Sequence, residues 1–279
     1  MDMSDMGSAR VFVGLKPPQT VSQLIVRYQK ELQEAIAERG PGIYLPQGSR
    51  SSFVRWTAED SLHLTLHFIG AVSRQLLDSF QSRFRAKVSE LKPFKVSLGL
   101  PGFLPHNRRN MRVVYLSVLD SQGNLDYLAS LIRSCVSEQL GIDSKSICTY
   151  SGSSASSDSE LKESRVFPRD FDQSAASKAK EKLVDAFSEN PRGKRDSKNL
   201  SKRKNDPFLP HITLGRLERS AKREDRDHLA SLISKASMLN VSSLYHSDIV
   251  EWEVNSFIFY ESVQENGRSR YEVLEEFHF

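Results

Sequence analysis

The sequence predicts a mixed α+β fold built on antiparallel strands. Segments with helical periodicity alternate with segments in which apolar and polar residues alternate, as a half-buried strand requires. Two strand-like segments, 94–100 and 111–119, follow each other without a helix between them, and the last two are separated by Asn266-Gly267, a dipeptide typical of hairpin turns. Helices combined with antiparallel hairpins indicate an α+β architecture.

The first 141 residues are predicted to form five strands and three helices. The strands are expected at 10–15, 53–56, 61–70, 94–100 and 111–119. The helices are expected to begin near Thr20, Ser73 and Asn124, each with an apolar face of helical spacing. Thr20 is predicted to cap the first helix, because Gln23 occupies the capping-box position. Gly40 and Gly141 suit the ends of the first and third helices, and a Gly- and Ser-rich loop is expected at 40–52.

The periodicity fails between residues 144 and 206, where Ser, Lys, Glu and Asp dominate. A segment this poor in large apolar residues buries too little surface to repay the entropy of ordering it. Regular patterning resumes with a strand at 208–217, a helix at 225–236 and strands at 251–263 and 270–279. We therefore predict one domain over residues 8–279, interrupted at about 144–206 by a flexible polar insertion with a transient helix near 175–187.

The composition narrows the class of protein. No run approaches the roughly 20 apolar residues that a bilayer span needs, and the first residues lack the layout of a secretory signal. Cys135 and Cys148 are too few for a disulfide framework, and Cys135 is expected in the core. The net charge of +4 is compatible with a phosphate-rich partner. The basic runs at 108–112 and 192–204 are interpreted as a hairpin tip and a solvated linker. Nucleic-acid contact is the alternative for both, and a nuclear-import signal is a further alternative for 192–204.

Two short strands carry the same chemical motif. In residues 62–68 the leucines and Phe68 are expected on one face and His63, Thr65 and His67 on the other. Residues 209–215 repeat the arrangement, which puts His211, Thr213 and Gly215 on the opposite face from Ile212 and Leu214. A single His-x-Thr is usually structural, but two copies in the same polar phase favour a shared site.

The duplication suits the cleavage of a phosphodiester. In-line displacement needs a base beside the attacking oxygen and an acid beside the departing one, and an imidazole can serve as either near neutrality. Thr65 and Thr213 share the face of their histidines, so their hydroxyls can donate to phosphate oxygens. This scheme needs no metal and no cofactor. His67 is interpreted as a wall of the groove, because its counterpart in the second copy is Gly215.

At these residues the chain resembles the 2H phosphoesterase superfamily. The resemblance rests on His63-Leu64-Thr65-Leu66 and His211-Ile212-Thr213-Leu214, and it extends to flanking stretches at 10–13, 54–56, 68–70 and 271–274. It is closest to the RNA 2′,3′-cyclic phosphodiesterase branch, also called 2′-5′ RNA ligase-like. It implies two pseudo-symmetric lobes, each with an antiparallel sheet, flanking a central groove. The long polar segment before the second motif departs from a compact member of that family.

The resemblance also implies an activity and its residues. His63 would donate a proton to the leaving oxygen, His211 would accept one from water, Thr65 and Thr213 would hold phosphate, and Tyr271 would line the groove. The expected substrate is an RNA-terminal 2′,3′-cyclic phosphate, opened to a 2′-phosphate. A small cyclic nucleotide, a 2′-5′ linkage and a non-catalytic nucleotide-binding module remain alternatives. The expected partners are RNA ends or cyclic nucleotides and no membrane, for a monomer in the cytoplasm, with the nucleus as the alternative.

Overall fold

The computed structural model describes residues 7–37, 53–141, 208–239, 250–265 and 268–279. All of them belong to one compact unit formed by Met1–Gly152 and Pro207–Phe279. A second unit, Ser153–Asp206, lies outside the described residues, as do the predicted insertion at 144–206, its helix at 175–187, the loop at 40–52 and the Asn266-Gly267 turn. None of the described helices is long and apolar enough to cross a membrane.

Nine strands and four helices make up the described fold. The strands are β1 Ser8–Leu15, β2 Val54–Trp56, β3 Leu64–Ser73, β4 Phe94–Leu104, β5 Val113–Leu119, β6 His211–Leu217, β7 Glu251–Val254, β8 Ser256–Glu265 and β9 Arg268–His278. The helices are α1 Gln19–Ala37, α2 Leu77–Val88, α3 Asn124–Leu140 and α4 Arg223–Leu239. The predicted α+β class is confirmed, and so is α3, which ends at Gly141 in a left-handed conformation (φ 61°).

The strands form one antiparallel sheet in the order β7-β4-β5-β6-β3-β1-β8-β9, and β2 also pairs with β6. The order is symmetric about its centre, with four strands on each side of the β6–β3 junction. A single residue pair, Leu64 with Ile212, joins β3 to β6. The two motif strands are therefore the inner strands of the two halves, and the sheets expected for two lobes adjoin there.

The core covers one face of the sheet. Helix α1 buries Val21, Ile25, Tyr28 and Leu32, and α3 buries Leu125, Leu128, Ile132 and Val136. Phe80 and Phe84 of α2 are fully buried, and the Phe84 ring packs 5.6–5.8 Å from the rings of Phe257, Phe259 and Phe277. Burying one side chain of this kind stabilises the fold by roughly 1.5–3 kcal/mol. The opposite face of the sheet is therefore not covered by these helices.

Helix α1 begins before the predicted cap. Its first residue is Gln19, and the Ser22 N–H donates to the Pro18 carbonyl at 2.9 Å. Thr20 therefore lies inside the first turn, and the prediction that it caps the helix is wrong. The reason is that the proline ring already fixes a helix-compatible φ, and its missing N–H costs nothing at a helix start.

The predicted strand at 251–263 is two strands. β7 pairs with β4 at one edge of the sheet, whereas β8 lies between β1 and β9 near the other. Asn255 separates them, and its carbonyl accepts a hydrogen bond from the Phe279 N–H at 2.9 Å. Two adjacent polar residues, Asn255 and Ser256, interrupt the apolar alternation, but they do not indicate that the chain changes partner strand there.

Candidate active site

The two motif histidines lie at the junction of the sheet halves. The antiparallel pair Leu64–Ile212 puts His63 level with Thr213, and Thr65 level with His211. All four side chains are half-buried on the face opposite the core, which we call the histidine face. The structure therefore places His63, Thr65, His211 and Thr213 next to one another on adjacent strands, as the duplicated motif predicted.

Each histidine is oriented by the same local hydrogen bond. His63 Nδ1 lies 2.8 Å from the Ser61 carbonyl oxygen, and His211 Nδ1 lies 2.8 Å from that of Leu209. A carbonyl can only accept, so Nδ1 of each ring carries the proton and donates it. In the neutral ring Nε2 is then the unprotonated nitrogen. Both imidazoles are thus held in one tautomer by the residue two positions earlier.

The surroundings favour the neutral form of both rings. Burial lowers the pKa of His63 from 6.5 to about 4, and the positive charges of His211 and Arg216 act in the same direction. Burial also lowers the pKa of His211, again with help from Arg216. The hydrogen bonds to the Ser61 and Leu209 carbonyls oppose these effects. Without a bound anion, both histidines are neutral at pH 7 and can accept a proton.

Both motif strands contain a bulge directly after the threonine. Along β3, Thr65 pairs with Gly14 but His67 pairs with Val13, so Leu66 is an extra residue. Along β6, Thr213 pairs with Tyr115 and Gly215 with Val114, which leaves Leu214 extra. An extra residue shifts the alternation by one, so side chains beyond it change faces.

The bulges overturn three predictions about faces. His67, interpreted as a groove wall, is in the core at 1% exposure, and neither ring nitrogen has a partner among the described residues. Burial, together with the nearby charge of Arg133, lowers its pKa to about 4. Gly215 is buried too, where an added Cβ would lie 2.8 Å from Val54 Cγ1. Phe68, expected in the core, packs instead against a separate cluster formed by Phe12, Ile258 and Tyr260.

Arg216 is a residue of the site that the sequence reasoning missed. It follows His211 by five positions, as Phe68 follows His63, and the bulge carries both to the histidine face. Arg216 is exposed, and its charge acts on both His63 and His211. The equal offset was a usable signal, but unbroken alternation would have placed both residues on the core face.

An aromatic cluster surrounds His63. The Phe12 ring lies 4.9 Å from the imidazole centroid, and Tyr271 meets it edge-on at 4.8 Å with an interplanar angle of 79°. Tyr260 stacks on Phe12 at 4.9 Å. Tyr271 is thus beside His63, where the resemblance implied a groove-lining residue. Beside His211, the Tyr115 ring lies 5.2 Å from the imidazole.

The described residues around the two histidines include no cluster of metal-ligand side chains. Within the segments that the structure describes, no three His, Cys, Asp or Glu side chains are close enough together to hold a metal ion. Around the two histidines the polar groups are instead hydroxyls, backbone carbonyls and a guanidinium. Such groups can donate to or neutralise an anion, and the imidazoles can exchange protons with it.

One protein family matches part of the chain. The family described as LigT like Phosphoesterase matches residues 44–115, which include the first motif. No curated protein matches the chain. The match supports a phosphoesterase of the 2H superfamily. It covers less than half of the chain, and the second motif lies outside it.

Several solved structures are similar to this chain. TT0787 of Thermus thermophilus is 17% identical, with a TM-score of 0.54 over 96% of this chain and 97% of its own. E. coli LigT in the apo form is 18% identical with a TM-score of 0.48, covering 98% of both chains. A structure of E. coli LigT complexed with 3′-AMP has the same identity and TM-score, over 97% of this chain and 98% of its own. The likeness to TT0787 confirms the predicted fold class.

Proposed function

We propose that the chain is a phosphodiesterase that opens RNA-terminal 2′,3′-cyclic phosphates to 2′-phosphomonoesters. The observation that carries this proposal is the matched pair of histidines, His63 and His211, at the centre of the sheet. Each has its Nδ1 committed to a backbone carbonyl and its Nε2 available. Two equivalent bases beside two threonines suit a reaction that needs one proton acceptor and one proton donor.

In the proposed reaction, water attacks phosphorus from the side opposite the 3′ oxygen. His211 Nε2 takes a proton from that water as the new P–O bond forms. The bond from phosphorus to the 3′ oxygen breaks, and His63 gives its Nε2 proton to the departing oxygen. The product keeps the phosphate on the 2′ oxygen and regains a 3′ hydroxyl. Each positioned proton transfer typically accelerates such a reaction roughly 10²- to 10⁴-fold.

The substrate itself can provide the charge that the acid needs. A cyclic phosphodiester is a monoanion, and a negative charge beside an imidazole favours its protonated form. Binding would therefore raise the pKa of His63, which is about 4 without the anion. The hydroxyls of Thr65 and Thr213 can donate to the non-bridging oxygens, and the Arg216 guanidinium can offset charge that develops there.

The aromatic cluster beside His63 could bind the base of the terminal nucleoside. On the His63 side of the site Tyr271 is half-buried beside the imidazole, and it packs against the buried rings of Phe12 and Tyr260. A base that stacks on an aromatic side chain typically gains about 1–3 kcal/mol, whichever base it is. This supports a nucleotide as the substrate, without a requirement for one particular base.

The test uses an RNA oligonucleotide that ends in a 2′,3′-cyclic phosphate. Wild-type protein treated with a chelator should convert it to the 2′-phosphate, and His63→Ala and His211→Ala should each lower turnover by about 10²-fold or more. His278→Ala serves as the control, because His278 is exposed at the end of β9. Circular dichroism should show all three variants folded.

Each other result points to a different activity. Turnover restricted to a cyclic mononucleotide or a 2′-5′-linked dinucleotide would replace the RNA end by that substrate while keeping the two-histidine chemistry. Tight nucleotide binding without any product would indicate a non-catalytic module. Full activity in either motif variant would refute the mechanism, whatever the substrate.

A further inference from the structure

A patch of four arginines adjoins the two histidines on the second half of the sheet. Arg55, Arg112, Arg216 and Arg219 line one open pocket, together with Glu218 and Ser220. We propose that this arginine patch binds phosphodiesters of the RNA chain that precede the terminal nucleotide, so that the preferred substrate is an oligonucleotide. The inference rests on the proposed function, because it extends the same site along the substrate.

The patch is continuous with the catalytic groups. Arg216 belongs to β6, five residues after His211, and its charge acts on both histidines. Arg55 of β2 pairs directly with Arg216 across the strands, and the pair Val113–Arg216 brings β5 alongside. Residues directly opposite in an antiparallel pair point to the same face. The patch therefore begins at the histidines and extends along the end of β6.

The charges favour a phosphate ligand. Like charges directly opposite each other destabilise a sheet, and among the described residues the pocket is lined by four arginines and one carboxylate, that of Glu218. Among the described residues Arg112, Arg216 and Arg219 form no ion pair. An anion lying between them would relieve this repulsion. Guanidinium groups bind phosphate oxygens through two parallel hydrogen bonds, which suits successive phosphates of a polynucleotide.

The placement of the arginines distinguishes the patch from an ordinary solvated surface. Arg55 and Arg216 are carried by paired strands, and the Arg112 carbonyl accepts a hydrogen bond from the Leu217 N–H at 2.9 Å. Strand and backbone bonds thus hold three of the four Cα positions. Across the histidines, the position equivalent to Arg216 is occupied by Phe68 in the aromatic cluster. The aromatic cluster has one arginine, Arg10, whose guanidinium lies 4.8 Å from the centroid of the Phe68 ring, whereas four arginines line the pocket on the β6 side. The positive charge is therefore concentrated beyond His211, where preceding phosphates would lie.

The deciding experiment measures binding, so it does not depend on turnover. The probes are a fluorescein-labelled RNA hexamer with a terminal 2′-phosphate and the matching nucleoside 2′-phosphate. We expect the hexamer to bind more tightly, and Arg112→Gln/Arg219→Gln to weaken its binding by about 10- to 100-fold. The salt dependence of hexamer binding should become shallower, by about 1.4 in log–log slope for two lost phosphate contacts. Arg216 is left unchanged because it acts on the histidines.

Two controls make the result specific. Arg27→Gln removes an exposed arginine on α1, outside the patch, and should leave hexamer binding unchanged. Binding of the nucleoside 2′-phosphate should change by less than about twofold in the double variant, because a single nucleotide does not reach a flanking site.

Three outcomes would overturn the proposal. They are equal affinity for the hexamer and the mononucleotide, an equal loss of both in the double variant, and binding of a hexaglutamate peptide as tight as that of the RNA. The last would assign the patch to an acidic protein. Tight, arginine-dependent hexamer binding without hydrolysis would instead refute the proposed function and leave the patch in place.

Discussion

His67 illustrates at the scale of one residue how far a motif can mislead. It shares the repeated leucine pattern with His63, yet it is buried in the core with both ring nitrogens unpartnered among the described residues. Its pKa of about 4 lies below the 6.5 of an unfolded histidine. Between these values the unfolded chain binds the proton more tightly, so the free energy of unfolding falls as pH decreases from 6.5 to 4.

We expect His67→Phe to remove most of that acid sensitivity. The wild-type protein should lose about 3 kcal/mol through His67 between pH 7 and pH 4, since each pKa unit corresponds to about 1.4 kcal/mol. Phenylalanine occupies similar space and binds no proton. Urea unfolding at pH 7, 5.5 and 4.5 measures the difference, with His278→Gln as the exposed control. Parallel pH profiles for wild type and His67→Phe would contradict this account.

At the scale of elements, the two bulges decide which side chains reach the histidines. The face to which each side chain points could be predicted from the sequence as far as Thr65 and Thr213, because the alternation of faces depends only on neighbouring residues. The bulges could not be predicted, because they depend on pairing between distant strands and on a hydrogen bond from another element. The Leu214 carbonyl accepts from Gln29 Nε2 at 2.8 Å and from the Thr57 N–H at 2.9 Å.

Gln29 is therefore expected to hold the second bulge in place. It is buried in α1, and its amide also donates to the Thr57 carbonyl at 3.0 Å. Gln29→Met keeps the side-chain length but leaves the Thr57 carbonyl without this donor, which should cost about 1–3 kcal/mol. Substrate turnover should fall as well, because Thr213 and Arg216 flank the bulge.

Thermal unfolding and kcat/KM on the cyclic-phosphate oligonucleotide test this prediction together. Gln33→Met on the exposed side of the same helix is the matched control and should change neither quantity. A variant Gln29→Met that unfolds at the wild-type temperature with wild-type kcat/KM would show that the bulge does not depend on this amide.

At the scale of the whole molecule, the order of strands in the sheet could not be predicted from local patterns. The element types were predictable because helical and strand periodicities differ, and α3 matched from end to end. The separation of β7 from β8 was not predicted, because the polar pair Asn255-Ser256 between them does not indicate that β7 pairs with β4 and β8 with β1. Local sequence does not encode which distant strand will be adjacent.

The domain interpretation leads to a prediction about residues 144–206. We propose that this segment is an insertion, since the compact unit that carries both motifs is formed by Met1–Gly152 together with Pro207–Phe279. Replacing it with about 15 Gly and Ser residues, which span roughly 20 Å on average, should leave a protein that unfolds cooperatively and hydrolyses the cyclic phosphate. Calorimetry and the turnover assay check both. A replaced chain that is insoluble or lacks a cooperative transition would make the segment part of the folded domain.

The bulges have a consequence for direction. Two histidines and two threonines related by a near two-fold arrangement do not by themselves distinguish one end of a substrate from the other. A ligand turned by half a circle would meet the same four groups. Phe68 and Arg216 stand at equivalent places beyond the two bulges and differ in kind, one apolar and one charged. An asymmetric pair on a symmetric frame gives the site two distinguishable ends, and in the proposed reaction it would determine which histidine is next to water and which is next to the departing oxygen.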